Sequence, residues 1–557
     1  MLQCVLVIVA ITIAYRIIDL QLIDRHFLQN EGNKRSVRYE TVPAHRGVIF
    51  DRNGKPLAVS TPVITLWADP SELLQAKTRW AELATALGIS EKMLARLISD
   101  NRGKDFIYLK RHMTPEKGAK VLALKIPGVN KIEEHRRYYP AGEVTAHLVG
   151  FTDVDEKGQE GIELGYNDWL EGVPGKIRFL KDRRGRLAKQ AELVKSVEPG
   201  KELMLSIDLS IQYMAYRELQ KAVDKHKAKA GSLVMIDVQT GEILAMVNQP
   251  AYNPNNRAGM AAFRVRNRVV TDVLEPGSTL KPFTVMAALE SGRYTKETPI
   301  NTHPGYMRVG RNLVKDILNY GQLTVTSVLT KSSNIGVTKM AMDVGIDSVL
   351  DTFRRVGFGQ ITGIGFPGES AGYLPFRDRW SDIEVATLSF GYGLTVTPLQ
   401  LAQAYAVLGA KGVMRPVSLI KRDVPPKGIR VFDEQISTDV LEMLSTVVDN
   451  GSGQRAKVPA YRVGGKTGTV RKVGASGYQD DRHVGIFAGV APIDNPRLAT
   501  VIVIDEPTEG GYYGGLTAAP VFSRVNANAL RMLSVAPQQK EVLTAEREND
   551  SSEGDPG

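Results

Sequence analysis

At 557 residues, 43% hydrophobic and 24% charged, the chain exceeds what one core supports and reads as two or three folded domains. Its 71 basic residues outnumber 61 acidic ones for a formal charge of +10, which favours anionic surfaces such as membranes or polyanionic cell wall. Cys4 is the single cysteine, which excludes an internal disulfide or thiolate cluster, and eight histidines without HExxH spacing give no metal site. Without zinc-finger spacing or an aromatic-interleaved basic stretch, no nucleic-acid partner is expected.

Residues 2–15, LQCVLVIVAITIAY, carry no charge before Arg16, and the apolar character resumes at Ile17, Ile18 and Leu20. A spanning helix takes about 20 apolar residues, and an arginine near its end can snorkel. There is no basic leader and no small-residue cleavage site, so a cleaved signal peptide fits poorly. Residues 1–22 are read as a membrane anchor cut short at its start, against a buried N-terminal helix. Everything after the anchor then lies on one side of the membrane.

Residues 36–66 alternate in β fashion around Asp51-Arg52-Asn53-Gly54, a hairpin signal. Helical patterning comes next over 70–125, then short segments with turns up to Pro199-Gly200. The basic run from Lys181 to Arg186 reads as a solvated hairpin. Together 23–200 form an expected β-rich N-terminal domain. From Leu203 the pattern changes to a periodic helix, IDLSIQYMAYRELQKAVDKH, then two apolar runs around Gln239-Thr240-Gly241. A helix leading into a hairpin predicts an α+β domain, assigned to 201–538 and closing on the helical FSRVNANALRML. The acidic stretch 539–557, with its Ser, Gly and Pro, reads as a disordered tail.

The chemistry concentrates at 274–283, LEPGSTLKPF. Pro282 fits best in the first turn of a helix, which puts Ser278 at a helix start, where free N–H groups and partial positive charge favour an oxyanion. Lys281, three residues on, shares that face and as a neutral amine can take the serine proton, given a depressed pKa. A second SxxK pair, Ser418 and Lys421, has no helix start around it and reads as a turn. Two further segments accompany the first pair in order: Ser332-Ser333-Asn334, and Lys466-Thr467-Gly468-Thr469. SxxK, SDN-type and KTG elements in that order make up the motif set of penicillin-binding proteins and class A β-lactamases. A literal SDN at Ser99-Asp100-Asn101 lies ahead of the nucleophile and is demoted by chain order.

Each element has a task. Ser332 can relay a proton between a lysine and the leaving amine. Asn334 can hold Lys281 and a substrate amide, with Ser333 beside it on the substrate side. Lys466 and Thr467 suit a terminal carboxylate, and Gly468 lets a peptide approach the strand edge. The amides of Ser278 and Thr469 would form the oxyanion hole. AYRVGGKT at 460–467 also matches a relaxed phosphate loop. Its first position is Ala rather than Gly, though, and the segment after the lysine is glycine-rich and β-branched, so a nucleotide site is rejected.

PAHRGVIFDRNGKPLAVST (43–61), RRYYPAGEVTAHLVGFTDVDEKGQEGIEL (136–164), LEPGSTLKPFT, KSSNIG, FGYGLTVTPLQLAQAY (390–405), GGKTGT and YYGGLTAAPVF (512–522) occur in the order found in one family. The chain resembles the class B penicillin-binding proteins, most of all the septal cell-division type of proteobacteria, over nearly its whole length. The resemblance implies an α+β serine transpeptidase domain, its antiparallel sheet flanked by helices, preceded by a β-rich pedestal and a membrane helix. It implies a single-pass inner-membrane protein whose periplasmic domain forms a Ser278 acyl-enzyme at D-Ala-D-Ala. No cofactor is implied. The implied partners are peptidoglycan stem peptides, β-lactams, the membrane, and cell-division membrane proteins including a septal glycosyltransferase. The alternatives are a D,D-carboxypeptidase, which the motifs do not separate, and a non-turnover division scaffold, which the intact motifs oppose. The large first domain argues against a β-lactamase, and the single candidate span argues against a sensor receptor.

Overall fold

The computed structural model describes residues 2–28, 31, 37–181, 187–474 and 477–537. The 539–557 tail lies outside these residues, as does the basic run beyond Lys181. The chain divides into two units that are not contiguous in sequence. One comprises 1–47, 60–136 and 168–202, and the other 48–59, 137–167 and 203–557.

In the first unit the N-terminal apolar run forms a helix, Leu2–Ile18, followed by one π-helical turn, Asp19–Ile23. Val5, Leu6, Ile8 and Ile11 stand exposed on it. Seventeen residues rise about 26 Å, short of a bilayer core of about 30 Å. No helix among the described residues is long and apolar enough to cross a membrane. The stretch read as helical resolves into Pro70–Gln75, Trp80–Leu87, Glu91–Ser99 and Pro115–Ala123. Asp69, Ser90 and Thr114 cap three of these by accepting from amides in the first turn. Leu66, Leu73, Trp80, Leu83, Leu94 and Ile98 pack into one core beside the antiparallel strand Ile107–Met113. With a separate three-stranded antiparallel sheet, the unit is mixed α/β rather than predominantly β. The SDN at 99–101 is only a helix end: Ser99 Oγ donates to Arg96 O and Asn101 Nδ2 to Leu97 O.

The second unit is built on a five-stranded sheet; its elements are labelled in chain order. The strands are β1 (Ala230–Asp237), β2 (Ile243–Gln249), β3 (Gly464–Gly474), β4 (Gly477–Ala491) and β5 (Leu498–Asp505). All pairs are antiparallel, in the order β2-β1-β5-β4-β3, which leaves β3 at an edge. Helices α1 (Leu209–Lys225), α2 (Lys281–Glu290), α3 (Val325–Lys331), α4 (Asn334–Val344), α5 (Pro398–Gly409), α6 (Glu434–Asn450) and α7 (Ala519–Met532) complete the scaffold. Strands β1 and β2 are buried along their whole length, as a sheet covered on both faces requires. Ile211, Leu219, Phe522 and Val525 of α1 and α7 join Leu233, Phe487 and Ile502 in one core. Residues 281–289 of α2 are all buried, the pattern of a helix enclosed on every side.

The hairpin expected at 51–54 belongs to this unit. Asp51, fully buried, accepts at Oδ1 from the amides of Asn53 and Lys55, both at 2.8 Å. Its Oδ2 accepts from Leu209 N at 3.1 Å, which ties the hairpin to the first turn of α1. A charged acceptor with three amide donors is worth more than three neutral bonds, and removing it strands those donors. Asp51→Ala is expected to lower unfolding stability by about 3 kcal/mol in a denaturant titration. An unchanged midpoint would refute this account of the hairpin.

Candidate active site

Ser278 lies in a single 3-10 turn, Gly277–Leu280, that runs straight into α2, with Pro282 in the helix's first turn as its missing N–H requires. Two contacts fix that turn. Gly277 N donates to Gly391 O at 3.0 Å, and the buried Tyr405 hydroxyl donates to Thr279 O at 2.9 Å. The FGYG…QAY segment thus braces the nucleophile from behind. Strand β3 presses on its other side. Gly277 has φ +52°, and a Cβ there would sit 2.5 Å from Val470 Cγ1. A Cβ on Gly468 would meet Thr279 Cγ2 at 3.0 Å and Pro276 O at 3.1 Å. Only glycine at both places lets the strand and the turn approach this closely.

Ser332 ends α3 in the left-handed conformation, φ 59° and ψ 40°. For a non-glycine residue this conformation carries strain of about 1–3 kcal/mol and persists only where the surroundings enforce it. The consequence is convergence on one hydroxyl. Ser332 Oγ donates to Ser278 Oγ at 3.2 Å and accepts from Lys281 Nζ at 3.2 Å and from Lys466 Nζ at 3.0 Å. One proton and two lone pairs are thereby fully used. Lys281 Nζ also donates to Ser332 O at 2.6 Å and to Asn334 Oδ1 at 2.7 Å. The geometry departs from the sequence expectation here. The hydrogen bond to Ser278 comes from Ser332, and Lys281 reaches the nucleophile through that hydroxyl rather than directly.

Both lysines are fully buried. Burial pulls Lys466 down from 10.5 to about 7. Burial also pushes Lys281 well below its ordinary value, helped by the neighbouring Lys466 and opposed by the charge of Asp316. Two adjacent ammonium groups in a dry site disfavour one another, which favours the neutral amine at Lys281 and makes it available as a base. Lys466 sits inside this relay, whereas the sequence reading had put it on a substrate carboxylate.

Ser333, expected on the substrate side, is fully buried. Its Oγ caps α4 by accepting from Gly336 N at 2.9 Å and donates to Asp316 Oδ2 at 2.5 Å. This serine is a helix cap, and its hydroxyl is committed to backbone and carboxylate. Asp316 is the residue that sequence reasoning missed. Besides Ser333 it accepts at Oδ1 from the amides of Asn334 (2.5 Å) and Ile335 (3.1 Å), so it anchors the whole turn that carries Ser332. It lies in VKDILNY, a stretch with no motif spacing, and nothing local signals it. Ser452 is the second such residue, its Oγ 2.6 Å from Thr467 Oγ1. In sequence, its GSG turn reads only as a helix stop.

Ser278, Ser332, Ser452, Thr467 and Thr469 line one open cavity of about 610 Å³, with Tyr320 and Tyr513 on its rim. Thr469 Oγ1 accepts from Gly514 N at 3.0 Å, which docks the YYGG segment onto β3. The other sequence candidates fall away. Ser418 Oγ closes a local turn onto Ile420, and 464–474 is a strand paired with β4, not a loop opening into a helix. Asp316→Ala removes three donors' acceptor and is expected to destabilise the unit by about 2–4 kcal/mol. A chemical-denaturation curve superimposing on wild type would exclude an anchoring role.

The family model for the penicillin binding protein transpeptidase domain matches residues 231–527, and that for the penicillin-binding protein dimerisation domain matches 41–205. Peptidoglycan D,D-transpeptidase FtsI of Escherichia coli (strain K12) is 45% identical over 540 residues, covering 96% of this chain and 91% of its own. Probable peptidoglycan D,D-transpeptidase PbpC of Pseudomonas aeruginosa is 42% identical, covering 98% and 97%. Among solved structures, penicillin binding protein 3 of Mycobacterium tuberculosis complexed with aztreonam superposes with a TM-score of 0.70 at 27% identity, over 89% of this chain and 98% of that one. The transpeptidase domain of Burkholderia pseudomallei penicillin-binding protein 3 gives 0.56 at 43% identity, over 60% of this chain and 98% of its own. The Ser278–Ser332–lysine relay, built on an antiparallel sheet edge, and these likenesses along both units agree: the chain belongs to the penicillin-binding proteins, among the peptidoglycan D,D-transpeptidases.

Proposed function

We infer that the protein cross-links peptidoglycan stem peptides as a serine D,D-transpeptidase of septal wall synthesis and is acylated by β-lactams at the same serine. The observation that carries this reading is Ser332 Oγ, hydrogen-bonded at once to Ser278 and to two buried lysines of lowered basicity.

With one lysine neutral, the hydroxyl chain reverses. Ser278 Oγ–H donates to Ser332, and Ser332 passes its own proton to the free amine of Lys281 or Lys466. Ser278 Oγ then attacks the carbonyl of the penultimate D-Ala, and the amides of Ser278 and Thr469 receive the oxyanion. Collapse breaks the peptide bond, and the departing D-Ala amine takes the proton back through Ser332. An acceptor amine attacks the ester, gives its proton to the same relay and restores Ser278. Asn334 holds Lys281 in line throughout. Thr467 and Thr469 suit the substrate's terminal carboxylate by their hydroxyls, and Gly468 keeps the edge of β3 open to an extended peptide. A β-lactam undergoes the same first step, its ring amide taking the place of the peptide bond.

The wider assignment is part of the same proposal. Residues 1–22 anchor the chain in the inner membrane, supported by the exposed apolar helix Leu2–Ile18. Residues 23–200 form a periplasmic pedestal that meets cell-division membrane proteins, a septal glycosyltransferase among them. Residues 201–538 form the transpeptidase, and 539–557 a tail.

Intact-mass analysis after incubation with a penicillin is expected to show a single stable adduct on the wild type and none on Ser278→Ala. An adduct on both, or on neither, would overturn the acyl-enzyme. The relay also sets the pH dependence. Below about 7 Lys466 is charged, and a base at Lys466 is lost as the medium acidifies, whereas burial and that same charge keep Lys281 a free amine. With Lys466 as the base, acylation is expected to slow by about thirtyfold between pH 8 and pH 5.5. A flat stopped-flow profile across that interval would exclude Lys466 and leave Lys281 as the base.

A further inference from the structure

A second cavity, of about 240 Å³, lies in the same unit and contains none of the relay residues. One end of the five-stranded sheet forms its floor. Ser232 of β1 stands opposite Val503 of β5, and Asp505, Val484 and Val470 follow one another across β5, β4 and β3 on the same face. Leu274 and Pro398 complete the lining, with Leu274 bound through both of its backbone groups to Val396. The exposed Val473 marks where the cavity opens to solvent.

Two observations single this cavity out. The first is Ser232, which is only 3% exposed. Its neighbour Gly231 faces α1, where a Cβ would meet Val223 and Leu219, so the alternation of the strand turns the Ser232 side chain into the cavity. Its hydroxyl makes no hydrogen bond among the described residues. Buried serines elsewhere in the unit differ: Ser206, Ser389, Ser437 and Ser445 each donate to a backbone carbonyl. A buried hydroxyl without a partner costs about 1–3 kcal/mol, which a ligand bonded to it recovers. The charges round the wall, by contrast, are already answered. Lys472 pairs with Asp505, Arg471 with Asp480 and Arg266 with Asp272, while Glu275 accepts from Gly393 N and the Tyr478 hydroxyl. An apolar floor, matched charges and one open hydroxyl fit a neutral ligand. An apolar cavity of about 150 Å³ holds one benzene, so this one has room for two fused rings.

The second observation is position. Val470 lines the cavity and also bears on the turn of the nucleophile, since a Cβ on Gly277 would come within 2.5 Å of its Cγ1. A group that acylates Ser278 has to enter between that turn and β3, and the cavity is where Val470 has room to give way. We propose that this cavity is a second ligand site, for a small neutral bicyclic compound that accepts a hydrogen bond from Ser232, and that its occupation slows acylation of Ser278. A ligand seated there fills the space beside Val470 and holds β3 against the turn. Binding is independent of the transpeptidase reading; only the effect on acylation rests on it.

The test follows 6-fluoroquinoline by fluorine NMR on the full chain, with naphthalene as a competitor. The two share a ring system, and only the quinoline carries a neutral acceptor nitrogen. The wild type is expected to bind 6-fluoroquinoline with a dissociation constant of about 0.5 mM. Ser232→Ala is expected to weaken it about fivefold, the size of one hydrogen bond, and to leave naphthalene unchanged. Val473→Trp, at the exposed opening, is expected to weaken both compounds. Saturating 6-fluoroquinoline is expected to slow formation of the penicillin adduct on the wild type about fivefold. Absence of binding to the wild type overturns the proposal. Equal losses for both compounds in Ser232→Ala overturn it too, and so does undiminished binding to Val473→Trp, which would put the compound elsewhere. An adduct rate indifferent to the bound compound overturns the coupling. Wild type that binds the compound but forms no adduct sinks the serine acylation and the coupling with it, and leaves the binding site standing.

Discussion

One serine hydroxyl holds the active site together. Ser332 Oγ can meet Ser278, Lys281 and Lys466 at 3.0–3.2 Å only because its backbone is turned into the left-handed region at the end of α3. That conformation is unfavourable in isolation, and so is the burial of two amines in one place. They persist together because each answers the other. The turn presents both the hydroxyl and the carbonyl of Ser332 to Lys281, and Asp316 locks the next residues through three hydrogen bonds. The depressed basicity of both lysines is the product of their burial, with the Lys466 charge adding to it at Lys281.

The rest of the second unit delivers the three segments to that point. Strand β3 is an edge strand, so one side of its backbone is free for a peptide while its glycines admit the Ser278 turn from behind. The buried helix α2 carries Lys281 inward, and the 390–405 segment braces the residues in front of it through Gly391 and Tyr405. An edge strand bonded on both sides would leave no room for the substrate. A residue larger than glycine at 277 or 468 would separate the nucleophile from the strand beside it.

Much of this was legible in the residues themselves. Pro-Gly before Ser278 and Pro282 after Lys281 announce a helix start, and the structure has one, offset by a single 3-10 turn. The ordered triplet named Ser278, Lys281, Ser332, Asn334 and Lys466, and all five lie within one hydrogen-bonded cluster. Ser333 shows the limit of such reading. A serine between two site residues is expected to face the substrate, yet side chains leave successive positions of a turn in different directions, and this one points into the cap of α4. Asp316 and Ser452 were invisible because their partners are remote in sequence and each sits in a stretch whose own pattern signals only a loop.

By itself the sequence determined the chemistry available and where along the chain it lies. Local rules carry that far: proline fixes backbone angles, glycine permits close approach, and apolar periodicity separates helix from strand. Tertiary structure alone decided which group hydrogen-bonds the nucleophile, how far burial lowers each lysine, and which buried hydroxyl is left without a partner. Those quantities depend on distances between segments remote from one another in the chain and on exclusion of water, and neither is encoded in any short window of residues.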